Sequence, residues 1–321
     1  MSDAESFNND ELEKTVEIPT KRLQSGDMPA CLSLLCKIDS GLAHAYVKIT
    51  ATKLKLTSVE LLEQYKHLRY VDVSQNYLSE LGPINHLRSL LWLKANNNKI
   101  ISGRLDEFPY LQVIDLSFNQ IGSTLGIEHP LLEQLNLNNN NISSADGFTA
   151  NKLPSLTTLQ MRSNCLTSTA GLENFKNLKH LFLANNSIQS LEGITTLENL
   201  EILHLRGNQL TVFEDNFQAG KNTKLKYINF RSNSISEFSE INKLDILEAL
   251  ECINLMENPI VEENEYRVDV LVNVRKLNKL DKDIFEEDEI EMAQEKYEMK
   301  VQEEKDAAAA EAAGEEEEEE E

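Results

Sequence analysis

The sequence is poor in the residues that usually carry redox or metal chemistry. It has four cysteines, none of which forms a C-x-x-C pair: Cys31, Cys36, Cys165 and Cys252. So few thiols disfavour a disulfide-rich secreted framework, and we therefore expect an intracellular, reducing compartment. The chain also lacks an apolar run of about 18 residues and an amino-terminal signal segment, so we expect neither a membrane span nor export.

Catalytic signatures are missing as well. The chain contains no glycine-rich phosphate loop, no G-x-S-x-G elbow and no H-E-x-x-H zinc helix. Its six histidines are dispersed, and the one pair that could share a face, His180 and His204, has no third ligand at a matching spacing. We predict that the protein is not an enzyme and holds no metal, cofactor or small-molecule substrate.

Basic residues are scarce, with 31 Lys and Arg against 54 Asp and Glu and a net charge of −23. Residues 281–321 alone hold 20 acidic and 4 basic side chains, which leaves a balance of −7 for the rest of the chain. Because such an acidic chain repels phosphate groups, we predict that neither nucleic acid nor an anionic membrane is a partner.

A repeated frame, L-x-x-L-x-L-x-x-N-x-L, dominates the sequence. Its asparagines lie 21 to 25 residues apart, at Asn76, Asn98, Asn119, Asn140, Asn164, Asn186, Asn208, Asn233 and Asn258. Self-similarity at this period is typical of leucine-rich repeats. We therefore predict an α/β fold, a leucine-rich repeat solenoid of the short, 22-residue intracellular type. The eleven residues of the frame are called positions 1 to 11 below, and each coil is named after its asparagine.

Each part of the frame has a physical role. Leucines at positions 4 and 6 alternate with polar residues, as a strand with one buried face requires. The position-9 asparagine follows the strand where the chain turns inward, and its amide can bridge its own loop and the next coil. We predict that all nine are structural. On the convex side, apolar residues at every third position favour 3₁₀ turns, with fuller helical turns in the longer repeats before Asn164, Asn233 and Asn258.

The chain divides into four predicted segments. Residues 1–29 are polar and without periodicity, which predicts a disordered acidic amino terminus. Residues 30–281 form the solenoid with a cap at each end. A thin apolar stripe among Glu and Lys predicts an acidic helix over residues 282–313, projecting from the body. The remaining residues, 314–321, are predicted to be a disordered poly-Glu tail.

The amino-terminal cap has two predicted parts. Caps are needed because an uncovered coil exposes leucines and unpaired strand edges. Apolar residues from Cys31 to Leu35 predict a short helix over the first edge. An additional coil is then predicted, with Val47 and Ile49 on its strand and Thr52 in place of the asparagine.

Positions 3, 5, 7 and 8 of each repeat point to the concave face. Arginines recur at position 7, which favours an acidic segment in a partner, or this chain's own tail, as the occupant. Aromatic and arginine side chains are the types that anchor protein interfaces. The candidate partner-binding residues are Tyr70, Trp92, Lys94, Phe118, Arg162, His180, Phe182, His204, Arg206, Tyr227 and Arg231.

Several segments resemble one particular family of leucine-rich repeat proteins. They are GLAHAYVK at residues 41–48, HLRYVDVS at 67–74 and LLWLKA at 90–95. Over residues 28–300 the chain resembles the leucine-rich repeat family of the radial spokes of motile cilia and flagella. The resemblance implies a non-enzymatic scaffold of the axoneme, a cytoskeletal component that binds other spoke subunits and supports motility.

Two other interpretations stay open at this point. The short-repeat class includes a regulatory subunit that grips a protein phosphatase with its concave face. The poly-Glu end alone suggests an acidic chaperone for histones or nucleic-acid-bound proteins. Stoichiometric phosphatase in a pull-down would favour the first, and loss of binding on removal of the acidic end would favour the second.

Overall fold

The computed structural model describes residues 20–38, 41, 43–214 and 216–319. In this part of the chain, thirteen strands form one sheet in sequence order. The strands are β1 (Leu32–Ile38), β2 (Ala43–Thr50), β3 (Tyr70–Asp72), β4 (Trp92–Lys94), β5 (Val113–Asp115), β6 (Gln134–Asn136), β7 (Thr158–Gln160), β8 (His180–Phe182), β9 (Ile202–His204), β10 (Tyr227–Asn229), β11 (Cys252–Asn254), β12 (Lys279–Leu280) and β13 (Asp283–Ile284). The α-helices are α1 (Met28–Cys31), α2 (Phe238–Asn242), α3 (Tyr266–Asn273) and α4 (Glu287–Glu319). Short 3₁₀ helices span Glu60–Gln64, Gly82–His86, Ala150–Lys152, Ile194–Thr196, Lys243–Ile246 and Pro259–Glu262.

Strands β2 to β12 are parallel and keep one register. Tyr70 pairs with Trp92, Trp92 with Val113, and so on along the stack, so equivalent repeat positions lie beside one another. With strands about 4.8 Å apart, ten coils give a sheet roughly 45 Å long. Residues at positions 4 and 6 fill the interior, as the fully buried Leu203 and Leu205 show. The predicted leucine-rich repeat solenoid is confirmed.

The asparagines form a continuous ladder through the stack. In the Asn98 coil, the side-chain amide donates to the carbonyl of Ala95 at 3.0 Å and to the carbonyl of Val73 in the preceding coil at 3.1 Å. Its Oδ1 accepts the Leu78 N–H at 3.0 Å. Eight of the nine asparagines are buried and Asn164 is half-buried. The structure therefore places these amides where the frame predicts them, as bridges between coils.

The residue before each asparagine, at position 8, has a left-handed backbone. This position has φ values from +53° to +68° in all nine coils. Only one of the nine residues is glycine, Gly207, and most of the others are polar. Because a side chain at positive φ costs about 1–2 kcal/mol, the asparagine bonds and coil stacking must hold this turn in place.

The longer repeats are completed in different ways. Before Asn258 the extra residues form α2 and a 3₁₀ turn, whereas before Asn164 they form only the 3₁₀ turn Ala150–Lys152. Before Asn233 the described residues form no helix, which makes that expectation wrong. There Phe213 stacks on Phe230, with ring centroids 4.7 Å apart, and fills the wider coil. Large apolar side chains, rather than helical turns, fill the interior of this longer repeat.

The core includes a buried histidine. His129 is fully buried, and its Nδ1 accepts the Phe108 N–H at 3.3 Å. Burial lowers the pKa of His129 to about 4. The ring is therefore neutral at physiological pH and serves as a hydrogen-bond acceptor in the packing.

The amino-terminal cap is a β-hairpin rather than the predicted helix. Helix α1 ends at Cys31, and β1 then pairs antiparallel with β2. Leu34 and Leu35 are exposed by 54% and 59%, so their apolar character does not reflect a buried helical face. The register of the opening coil is also shifted by two residues, because Ile49 pairs with Val71 at position 4.

The packed body begins upstream of residue 30. Leu23 and Met28 are buried, and the Leu23 N–H donates to the Ser58 carbonyl at 3.1 Å. Residues 20–29 therefore cover the first coil, although they belong to the segment predicted to be disordered. The rest of that segment, residues 1–19, lies outside the described residues.

The carboxyl end differs from the prediction in where its helix starts and stops. Residues Asp283–Ile284 extend the sheet as β13, so α4 begins at Glu287. Its first turns pack on α3, where Arg267 binds Glu289 and stacks 5.0 Å from the Phe285 ring centroid. The helix continues to Glu319, and residues 320–321 lie outside the described part. Extending an existing helix avoids the nucleation step, which accounts for helix where residues 314–319 were predicted to be disordered.

Candidate protein-binding surface

The concave face is the outer surface of the parallel sheet. Alternation along each strand puts positions 4 and 6 inside and positions 3, 5 and 7 outside. Of the eleven predicted surface residues, Phe118 and Arg206 are exposed, and the other nine are half-buried against neighbouring coils. Flanking strands at about 4.8 Å restrict each side chain, so the surface is preformed rather than flexible.

The amino-terminal part of this face contains a largely apolar groove. Trp92 lies between Tyr70 and Val113 in the register, and the Lys94 ammonium is 5.4 Å from its ring centroid. With exposed Leu34 from the hairpin, Tyr70, Trp92 and Val113 line an open groove of 430 Å³. Phe118 is 52% exposed at position 8 of its coil, one coil farther along. Trp92 itself is half-buried, so part of its ring is open to a partner.

Amides and hydroxyls occupy the centre of the face. Asn138 Nδ2 donates to Gln160 Oε1 at 3.1 Å, and its Oδ1 accepts the Arg162 N–H at 2.7 Å. The Asp115 carboxylate nearby accepts hydrogen bonds from the backbone and hydroxyl of Ser117. These groups are held by their neighbours, so the centre is polar and ordered.

Four side chains stack in a row over the carboxyl-terminal coils. The Arg162 guanidinium carbon lies 4.5 Å from the Phe182 ring centroid. Phe182 and His204 are 5.0 Å apart between centroids, and His204 and Tyr227 are 5.1 Å apart. His180 stays beside Thr158, with 3.3 Å between its Nδ1 and the threonine Oγ1. The structure thus joins four of the predicted residues into one stack and leaves His180 at its side.

The electrostatics of these coils come from arginine. Burial and the nearby Arg162 lower the pKa of His204 to about 4, so the ring is neutral near pH 7. Arg231 is paired with Glu257, whose pKa is lowered to about 2 by that hydrogen bond and by one from Ser232. Arg206 is exposed. At position 7, Arg162 therefore stacks on an aromatic ring, Arg206 is exposed to solvent and Arg231 is ion-paired.

Sequence reasoning missed two contributors to this face. Leu34 comes from the hairpin, which the apolar pattern indicated as helix. Glu257 occupies position 8 of the last asparagine coil. The repeat frame places its charge next to Arg231, at position 7 of the preceding coil, so the pair could have been predicted from the sequence. Among the described residues no group of three metal-capable side chains clusters, and no helix combines the length and apolarity of a bilayer span.

Comparisons with known proteins agree with this architecture. Family models described as leucine-rich repeat match residues 109–124, 130–188 and 181–310. An internalin of Listeria monocytogenes superimposes with a TM-score of 0.52 at 21% identity, covering 74% of this chain and 62% of that one. A Leptospira interrogans leucine-rich repeat protein also gives 0.52, at 23% identity over 71% of this chain and 70% of its own. At these identities the structural likeness concerns the fold alone.

Curated relatives are much more similar in sequence. Leucine-rich repeat-containing protein 23 of Bos taurus is 43% identical over 82% of this chain and 76% of its own length. The protein of the same name from Homo sapiens is 44% identical over 80% and 74%, and that from Xenopus tropicalis 44% over 82% and 75%. Identity at this level over most of both chains establishes the relationship. The chain therefore belongs to the leucine-rich repeat-containing protein 23 family.

Proposed function

We propose that the protein is a structural scaffold of axonemal radial spokes, where it binds other spoke subunits and supports ciliary and flagellar motility. The leucine-rich repeat fold and the family relationship support a protein-interaction scaffold. The spoke assignment rests on the family resemblance of the sequence. One structural observation carries the binding role: a continuous concave sheet presents aromatic and arginine side chains in fixed register.

A rigid sheet suits a scaffold because little conformational freedom is lost when a partner binds. The asparagine ladder holds the strands, and stacking holds Arg162, Phe182 and His204 before any partner arrives. Immobilising a flexible side chain at an interface costs about 0.5–1.5 kcal/mol. Because the side chains of this row are already ordered, binding a partner does not incur that cost. The same surface gives partners an apolar groove around Trp92 and a cationic region farther along.

Fractionation of ciliated cells tests the assignment. The tagged full chain should remain with axonemes after detergent extraction, and its loss should lower beat frequency. A double variant of the concave face, Trp92→Ala with Arg206→Glu, should shift to the soluble fraction, whereas Lys221→Glu on the convex side should not. A wild-type chain found mainly in soluble extract, or bound stoichiometrically to a phosphatase, would contradict the proposal.

A further inference from the structure

The concave face has an uneven charge. From the Asn140 coil to the Asn233 coil, positions 3, 5, 7 and 8 contain three arginines and no carboxylate. The first acidic residue on the face beyond them is Glu257, which already binds Arg231. We call this region the arginine–aromatic strip: Arg162, Phe182, His204, Arg206, Tyr227 and Arg231. A net positive strip on a chain of net charge −23 is a local feature that composition alone would hide.

Two of the three guanidinium groups form no close ion pair, although the charge of Arg206 acts on the Glu257 carboxylate at longer range. Within the described residues, neither Arg162 nor Arg206 has a carboxylate oxygen within 4.0 Å. Stacking on Phe182 orients the Arg162 guanidinium; its Nε is buried, so the terminal N–H groups are the ones that can bind an anion. Arg206 is exposed two coils away along the stack. Both groups are therefore placed to receive carboxylates from outside.

The spacing of these arginines defines what fits. Arg162 and Arg206 occupy the same position in coils two steps apart, so their Cα atoms are separated by about 10 Å. A polyproline II segment has three residues per turn and rises about 3.1 Å per residue, so carboxylates three residues apart lie on one face about 9 Å from each other and match this separation. Phe182 lies in the coil between the two arginines and His204 in the coil of Arg206, and their rings offer an aromatic surface for the intervening side chains. The neutral histidine keeps the charge pattern constant around physiological pH.

The chain's own acidic end is directed elsewhere. Helix α4 packs on α3, and Met299 and Glu303 line a groove with Phe238 and Asn242 of α2. Helix α2 is on the convex side of the Asn258 coil, opposite the strip. A continuous helix of 33 residues, about 50 Å long, would have to break to bring its last turn to the concave face. The occupant is therefore another polypeptide.

We propose that the arginine–aromatic strip binds an acidic segment of a partner protein in the polyproline II conformation, with carboxylates three residues apart on Arg162 and Arg206. This deepens the proposed function, on which it rests, by naming the chemistry of the partner segment. The central amides of Asn138 and Gln160 lie on the sheet beyond Arg162 and bring further hydrogen-bonding groups to the peptide backbone. Charge sets the register of the segment and the aromatic rings hold its apolar atoms.

Fluorescence anisotropy with the purified full chain tests the proposal. The probe is a fluorescein-labelled peptide, Glu-Ser-Thr-Glu-Ser-Thr-Glu, and the control peptide has Gln in place of every Glu. Arg206→Glu should raise the Kd of the probe at least about tenfold, whereas Lys221→Glu, the same charge change on the convex side, should leave it within about twofold. Far-UV circular dichroism checks that both variants fold. Equal effects of the two variants, or equal binding of the Gln peptide, would overturn the proposal.

Two further measurements exclude other occupants. Replacing Glu315–Glu321 by glutamine in the full chain should not change the Kd, and a tenfold tighter Kd would mean that the tail occupies the strip. A fluorescein-labelled oligothymidylate should bind more weakly than the acidic peptide, and tighter binding would assign the strip to nucleic acid instead. Because peptide binding is measured on the purified chain and axonemal retention in cells, failure of one result does not imply failure of the other.

Discussion

Removing one asparagine from the ladder should destabilise the solenoid by an amount that depends on burial. Asn119 is 8% exposed; its Oδ1 accepts the Ile100 N–H at 3.1 Å, and its Nδ2 donates to the carbonyls of Ala95 and Leu116. Both carbonyls keep a second amide donor, from Asn98 and Asn140 respectively. In Asn119→Ala the only group left without any partner is the Ile100 N–H.

An orphaned buried donor costs about 1–3 kcal/mol, and the weakened carbonyl bonds add to it, so we expect Asn119→Ala to lose about 2–3 kcal/mol of unfolding free energy. Asn164→Ala is the matched control. Asn164 accepts the Ile142 N–H at 3.0 Å in the same way but is half-buried, so water can replace it. We expect that variant to lose less than about 1 kcal/mol.

Urea unfolding followed by far-UV circular dichroism measures the global effect, and hydrogen exchange measures the local one. A loss of 2 kcal/mol corresponds to roughly 30-fold faster exchange at the Ile100 amide in Asn119→Ala. The same amide should be unaffected in Asn164→Ala. Equal midpoint shifts in the two variants, with unchanged exchange at Ile100, would refute the ladder as the source of coil-to-coil stability.

Three other predictions concern local packing, pH and the carboxyl-terminal helix. Gly171→Ala should lower the thermal midpoint more than Gly220→Ala: both glycines have positive φ, but a Cβ at Gly171 would lie 2.6 Å from neighbouring backbone and one at Gly220 would meet nothing within 4 Å. Similar calorimetric midpoints would contradict the packing argument. The pKa of His129 is lowered to about 4, below the unfolded value near 6.5, so the unfolded state binds the proton first and stability is lost as pH falls from about 6.5 toward 4. His129→Asn should remove up to about 3 kcal/mol of that dependence in urea titrations, and an unchanged pH profile would show that the ring is not buried in neutral form. Arg267→Ala should speed proteolysis within residues 287–300 while the urea midpoint of the solenoid changes little, because its ion pair and ring contact hold α4 on the body; unchanged cleavage would show that other contacts suffice.

The repeats could be predicted from sequence because each of their features is local. Leucine spacing fixes which face of a strand is buried, and an asparagine three residues after the last strand leucine fixes the turn. The same frame assigned Trp92, Phe182 and Arg206 to the concave face, where the structure has them. It could not show that Arg162, Phe182 and His204 touch, since stacking depends on side-chain rotamers.

The ends were harder because they lack the frame. In the opening coil Leu54 replaces the asparagine, and its N–H donates to Asn76 Oδ1 of the next coil at 3.1 Å. Because no asparagine marks position 9 in this coil, the sequence pattern predicted the frame two residues too early in the chain. Leu34 and Leu35 have helical spacing but belong to an edge hairpin whose outer side chains are exposed. Apolar periodicity predicts that residues are buried, whereas these two leucines are exposed on the surface.

Crosslinking mass spectrometry on intact axonemes tests the central claim most directly. Lys94 lies on the concave sheet, whereas Lys176 and Lys221 are exposed on the convex side. If the concave face binds partners, Lys94 should form crosslinks to other axonemal proteins more often than either convex lysine. Crosslinks to other proteins that come only from Lys176 and Lys221, with Lys94 freely labelled by a monofunctional reagent, would contradict the account.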